Sequence, residues 1–214
     1  MSNQKGFTLV EIAIVLVIVG LLLGGVLKGQ ALIAGAKVTN TISQIKALET
    51  AVYGFQDRYR VLPGSLSNAT ALIGGTAVDC TWDCDDGDIR PWRNSSLALN
   101  HLSAAGFYSG PFPTAEVNGV PTVANAPANP FGGAMFVAHY NRYADTGTPV
   151  TALGVYTGAS IPSATLAEID RKIDDGLPQT GSFRAAYPSD RGRAASACFD
   201  ATTNTWLTTG TNCA

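Results

Sequence analysis

The sequence predicts an α+β protein: one long N-terminal helix, able to span a membrane over its first half, packed on a four-stranded antiparallel sheet. Three observations predict this. From Phe7 to Leu27 the only ionisable side chain is Glu11. Beyond that run, Val38, Ile42, Ile45, Leu48, Val52, Phe55 and Tyr59 recur at steps of three or four, the apolar face of an amphipathic helix. The last three quarters are rich in Gly, Ala, Thr, Ser and Asn and contain four short strand-like runs. The 214 residues suit one domain with an appendage. With a net charge of -2 and no long basic run, the chain carries no electrostatic signature of a nucleic-acid partner.

At 1.5 Å per residue, residues 7–27 form a helix of about 30 Å, the thickness of a hydrocarbon core. A secretory signal peptide has a shorter apolar stretch and a small-residue cleavage site after it. Here the run is too long, so the hydrophobic part is expected to be retained. Lys5 precedes the run and Lys28 follows it, so flanking charge does not orient it. Glu11 is the anomaly. A carboxylate in hydrocarbon costs a few kcal/mol and marks a function unless it stays wet near the headgroups. The next charge along the segment is Lys28, more than about four helical turns on, so a partner cation has to be a chain terminus or another subunit.

Residues 28–60 continue the same helix, with Lys37, Lys46, Glu49, Gln56 and Arg58 mostly opposite the apolar stripe, giving a rod of roughly 80 Å. Gly20, Gly24, Gly25, Gly29 and Gly35 weaken helix propensity along it, or serve close helix packing. Leu62-Pro63-Gly64 stops the helix, and the head, residues 61–214, begins. Its expected strands are Ala134–Tyr143, Val150–Tyr156, Ser182–Tyr187 and Thr203–Thr209. A helix is expected from Ser163 to Ile173, ended by Gly176. One face of the sheet can then bury the amphipathic half of the long helix.

The four cysteines, Cys80, Cys84, Cys198 and Cys213, allow three pairings. Short separations favour Cys80 with Cys84 and Cys198 with Cys213, the second loop contributing roughly 3 kcal/mol. A zinc site is the rival reading of Cys-x-x-x-Cys. Against it, the second pair is widely spread, and His101 and His139 lie in unrelated contexts. The segment 79–90 gathers Asp79, Asp83, Asp85, Asp86 and Asp88. Asp83, Asp85, Asp86 and Asp88 are calcium candidates. However, Gly87 falls one place early for an EF-hand and no glutamate closes the loop, so a solvated, disulfide-pinned loop is the competing reading. Asp170, Asp174 and Asp175 raise the same question at the end of the expected helix. No other metal or cofactor is expected.

Lys5-Gly6 followed by Phe7-Thr8-Leu9-Val10-Glu11 resembles the class III signal of type IV pilins and of the pseudopilins of type II secretion systems. The resemblance implies a leader at residues 1–6, cleavage after Gly6 by a membrane-embedded prepilin peptidase and methylation of the new amino terminus at Phe7. It implies that Glu11 neutralises the terminal amine of a neighbouring subunit during assembly. Two charges costly alone in a low-dielectric bundle become tolerable when paired, and the pair fixes register. Leu62-Pro63-Gly64-Ser65, Asn68-Ala69-Thr70, Trp92, Leu102, Ala105 and Gly106 are similar to a pattern in proteins with this leader, although many of those have aspartate at the place of Ser65. The family fold is a pilin-like head on a long helix. Its C-terminal disulfide loop corresponds to Cys198 through Cys213.

No nucleophile with a base, carboxylate pair or phosphate loop stands out, so no enzymatic activity is expected. Arg184, Arg191 and Arg193 make too small a basic patch for DNA. The resemblance implies a structural subunit, a pilin, that polymerises into a type IV pilus-like filament. Its partners are further copies of itself or other pilins, met through the N-terminal helices, the prepilin peptidase and an inner-membrane assembly machinery. The precursor then lies in the inner membrane and the product in a cell-surface or periplasmic filament. The alternatives are a type II secretion pseudopilin and a permanently membrane-anchored periplasmic binding domain.

Overall fold

The computed structural model describes residues 9–81, 84, 88–89, 94–112, 121–141, 143–186, 198–210 and 213. Its elements are α1 (Leu9–Tyr59), α2 (Ala69–Leu72), α3 (Ser95–Ala104), β1 (Phe136–Tyr140), β2 (Ala152–Tyr156), α4 (Ser163–Ile173), β3 (Phe199–Asp200) and β4 (Thr205–Trp206). Residues to Lys37 and residues from Val38 form two separate compact units.

In the second unit the apolar stripe of α1 is core. Val38, Ile45, Leu48, Val52 and Phe55 are buried, with Thr41 and Ala51 completing the same face. Arg60 ends the helix in the left-handed region at φ 59°, its amide still bonded to Gln56 O at 2.8 Å. This is the helix-terminating geometry that glycine usually supplies. Gly64 follows at φ +88°, where a Cβ would stand 2.7 Å from Asn94 O. Only glycine lets the corner approach the start of α3.

The sequence does not announce α3 by an apolar stripe, because Ser95 through Leu102 are all buried. Its polar side chains do backbone work. Asn100 accepts from Val78 N at 3.0 Å and donates to Thr76 O and Phe112 O. Asn129 plays the same part lower in the head, donating to Thr157 O and Ala159 O and accepting from the amides of Phe131 and Gly133. Buried amide side chains with both polar atoms engaged fix loops that have no ladder of their own.

β1 and β2 form an antiparallel pair with Val137 opposite Val155 and His139 opposite Leu153. β3 and β4 form a second pair. The expected single four-stranded sheet is therefore corrected: the described residues contain two two-stranded sheets. The physical reason lies in the segment expected as the third strand, of which Tyr187 lies outside the described residues. The amides of Ser182 and Phe183 are taken by the Asp174 carboxylate, and that of Ala185 by Pro178 O. Only a single bridge, Tyr143 to Ala186, remains of the ladder. The run from Thr203 contributes only Thr205 and Trp206, paired with Phe199 and Asp200, because Asp200 Oδ1 accepts the amides of Thr202 and Thr203 and folds them into a turn.

α4 occupies the expected span and buries Leu166, Ala167, Ile169 and Asp170. Both disulfides join the local pairs, Cys80 to Cys84 and Cys198 to Cys213. The second closes over the approach to α4, where Cys213 N donates to Ile161 O at 3.0 Å.

Candidate functional site

The first unit is helix from Leu9, and Glu11 sits exposed in its first turn. Around the helix Val10, Ile14, Val17, Leu21 and Leu27 are each more than half exposed. An apolar surface on all sides requires lipid or other helices as its solvent. Among the described residues, α1 is the one helix long and apolar enough to cross a bilayer. A Cβ on Gly20, Gly24, Gly25, Gly29 or Gly35 would meet nothing within 4 Å, so nothing among the described residues demands glycine there.

In the head, the two histidines are structural. His101 is fully buried; its Nδ1 accepts from Gly64 N at 2.9 Å and its Nε2 donates to Val78 O at 2.7 Å. That pairing defines a neutral ring. Burial pushes its pKa below the ordinary histidine value, against the Val78 hydrogen bond and the Asp79 charge. The ring lies near-parallel to Phe55, 6.1 Å between centroids, so it joins α1, the Gly64 corner and the 76–78 segment. His139 Nδ1 lies 3.1 Å from Ile89 N and 3.3 Å from Asp88 Oδ1.

Of the calcium candidates, Asp88 lies beside His139, whereas Asp83, Asp85 and Asp86 lie outside the described residues. Asp79 receives the amide and hydroxyl of Thr70, which hold its carboxyl below the usual carboxylate range. Asp170, Asp174 and Asp175 bring carboxylate oxygens within 4.8 Å of one another, yet each group serves the fold. Asp170 accepts from Trp206 Nε1 at 2.8 Å and Gly176 N at 3.2 Å. Asp174 accepts from Ser182 and Phe183, and Asp175 from Leu177 N and Thr180 Oγ1. Burial drives the Asp170 pKa up to about 6 despite its two donors, while the Ser182 and Phe183 amides hold Asp174 low. Arg184 is paired with Asp145; Arg191 and Arg193 lie outside the described residues.

Residues 1–27 match a family model described as the prokaryotic N-terminal methylation motif. The N-terminal segment carries this motif. A comparison with curated proteins found no match, nor did one with solved structures. The N-terminal methylation motif is the class III signal of type IV pilins and pseudopilins, a substrate signal for the prepilin peptidase, and with the apolar helix it indicates membrane anchoring. Gly6 and Phe7, the positions of cleavage and methylation in the resemblance, lie outside the described residues. The motif covers α1 through Leu27 and leaves the head to be read from its own chemistry.

Proposed function

We propose that this chain is a structural subunit that polymerises into a type IV pilus-like filament after a prepilin peptidase cuts between Gly6 and Phe7. The observation that carries this reading is the methylation motif at residues 1–27 with a carboxylate, Glu11, in a segment that is otherwise uncharged as far as Leu27 and outward-facing. Cleavage creates an amine on Phe7. A buried amine and a buried carboxylate are each costly, and pairing across subunits offsets much of that cost while setting axial register. The head has no catalytic part in the reading.

Mass spectrometry of protein purified from peptidase-containing cells tests the processing step. A peptide beginning with N-methylated Phe7 is expected, and an intact Met1 terminus contradicts the reading. Glu11→Leu tests assembly: filament yield in sheared surface material is expected to collapse while membrane-inserted monomer persists. Normal fibres from that variant would remove the electrostatic argument. A pseudopilin would be processed in the same way but leave native-level expression without surface fibres under the electron microscope.

A further inference from the structure

The two edges of the β1–β2 sheet are treated differently by the chain. On the β1 side, His139 N donates to Ile89 O at 2.7 Å, Ile89 N donates to the His139 ring, and Met135 N donates to Pro127 O at 2.8 Å. That edge is covered. The same bonds fix the ladder's phase. Because His139 N points away from β2, His139 and Leu153 are a non-hydrogen-bonded pair, and by alternation so are Val137 and Val155. The N–H and C=O groups of Leu153 and Val155 therefore point out of the sheet on the far side. Among the described residues, none of these four backbone groups has a hydrogen-bond partner.

Beside this edge lies a cleft of about 420 Å³ whose far wall includes residues 181–186, with Tyr140, Tyr156, Phe183 and Trp206 among its lining. That volume is in the range of ligand-holding clefts. The far wall does not pair with it as a third strand: the amides of Ser182, Phe183 and Ala185 are committed to Asp174 and Pro178. Natural edge strands are guarded by lysine, proline or an inward charge, and Ala152-Leu153-Gly154-Val155-Tyr156 has none of these.

We infer that the free edge of β2 is a strand-capture site, taking an extended, non-acidic segment of a partner polypeptide as a third strand. Two donors and two acceptors at alternate positions are the complement of one extended backbone. The charges around the cleft limit the character of the guest: Arg184 is already neutralised by Asp145, while the Glu49 carboxylate stands exposed in the lining, so the cleft disfavours an acidic chain. A second copy of this head is disfavoured. Edge-to-edge pairing would bring a two-stranded ribbon, rather than a single strand, against the wall formed by Phe183 and Arg184. It would also be a two-fold contact, which does not propagate along a helical assembly.

The test uses the full-length protein in detergent micelles, with a neutral, end-capped octapeptide of alternating threonine and valine as probe. The comparison peptide is N-methylated at alternate residues. Amide exchange is read residue by residue. With the first peptide, Leu153 and Val155 are expected to slow by at least about tenfold, the scale of one or two added hydrogen bonds, while Gly154, bonded to β1, changes little. Val155→Pro removes an outward donor at a position where an edge strand tolerates proline, and is expected to weaken binding by roughly tenfold. The N-methylated peptide leaves the protein unaltered and decides the matter if that variant is unstable. Three results overturn the assignment: no protection at millimolar peptide, equal protection by the N-methylated peptide, and protection without peptide that grows with protein concentration. Each leaves processing at Gly6 and the role of Glu11 untouched.

Discussion

Asp170 should make the head respond to pH in a direction unusual for a carboxylate. Its carboxyl is buried with a pKa raised from 3.8 to about 6, chiefly by burial, with Asp175 and Asp174 adding to the effect against its Trp206 and Gly176 hydrogen bonds. A carboxyl whose folded pKa lies above its unfolded value is held more tightly as the neutral acid by the native state. Acidification from above pH 6 to below pH 4 therefore stabilises the fold, by about 3 kcal/mol from a shift of roughly two pKa units. His101 opposes this in an overlapping window. Its folded pKa is depressed, so below about pH 6.5 the unfolded chain takes up a proton that the buried ring refuses, and stability falls. The two effects separate by difference. Asp170→Asn mimics the neutral acid at every pH and removes the Asp170 contribution while leaving His101 in place. Thermal unfolding of the full-length protein in detergent is to be followed from pH 7.5 to 4.5 for both proteins. About 2 kcal/mol of that change falls within this range, so the wild type is expected to gain on the variant by roughly 4–8 °C, given about 2–4 °C per kcal/mol for a domain of this size. Parallel profiles would refute the reasoning. So would a carboxyl-carbon NMR titration of Asp170 with its midpoint below about 4.5, near the ordinary aspartate value.

Gly64→Ala adds a Cβ at φ +88° that stands 2.7 Å from Asn94 O, whereas the same change at Gly74, φ +76°, meets nothing within 4 Å. Both should lose about 1 kcal/mol to the left-handed backbone, and denaturant midpoints should show Gly64→Ala losing more; equal losses would remove the steric argument. His101→Phe keeps an aromatic ring beside Phe55 but strands the Gly64 N–H and the Val78 C=O, and should cost about 2–5 kcal/mol in the same assay. Replacing Cys198 and Cys213 together by serine opens the 15-residue loop and should remove about 3 kcal/mol. Agreement of the wild-type melt with and without reductant would contradict that figure.

The legible parts of this fold are those in which one local rule decides. A step of three or four from Val38 to Phe55 fixes which face of α1 is buried, since a helix cannot present those residues anywhere else. Ser163–Ile173 reads as a helix for the same reason, with Gly176 stopping it and its amide bonded back to Asp170. The local cysteine pairs follow from loop closure. The illegible parts are those in which a side chain distant in sequence commandeers backbone groups. Ser182 to Ala186 has strand composition, yet Asp174, eight residues upstream of Ser182, takes the two amides that a neighbouring strand would need. Asn100, His101 and Asn129 lack periodicity or motif, yet they hold together loops up to 37 residues apart. A sequence pattern registers what a residue is, and these three matter for which backbone atoms happen to arrive beside them. The same logic explains the open edge of β2. With the Ser182, Phe183 and Ala185 amides bonded to Asp174 and Pro178, the segment that composition reads as a third strand forms no ladder with Leu153 and Val155 among the described residues. The missing third strand and the cleft beside β2 therefore share a cause: Asp174, at the end of α4, and Pro178 O hold amides that a neighbouring strand would use.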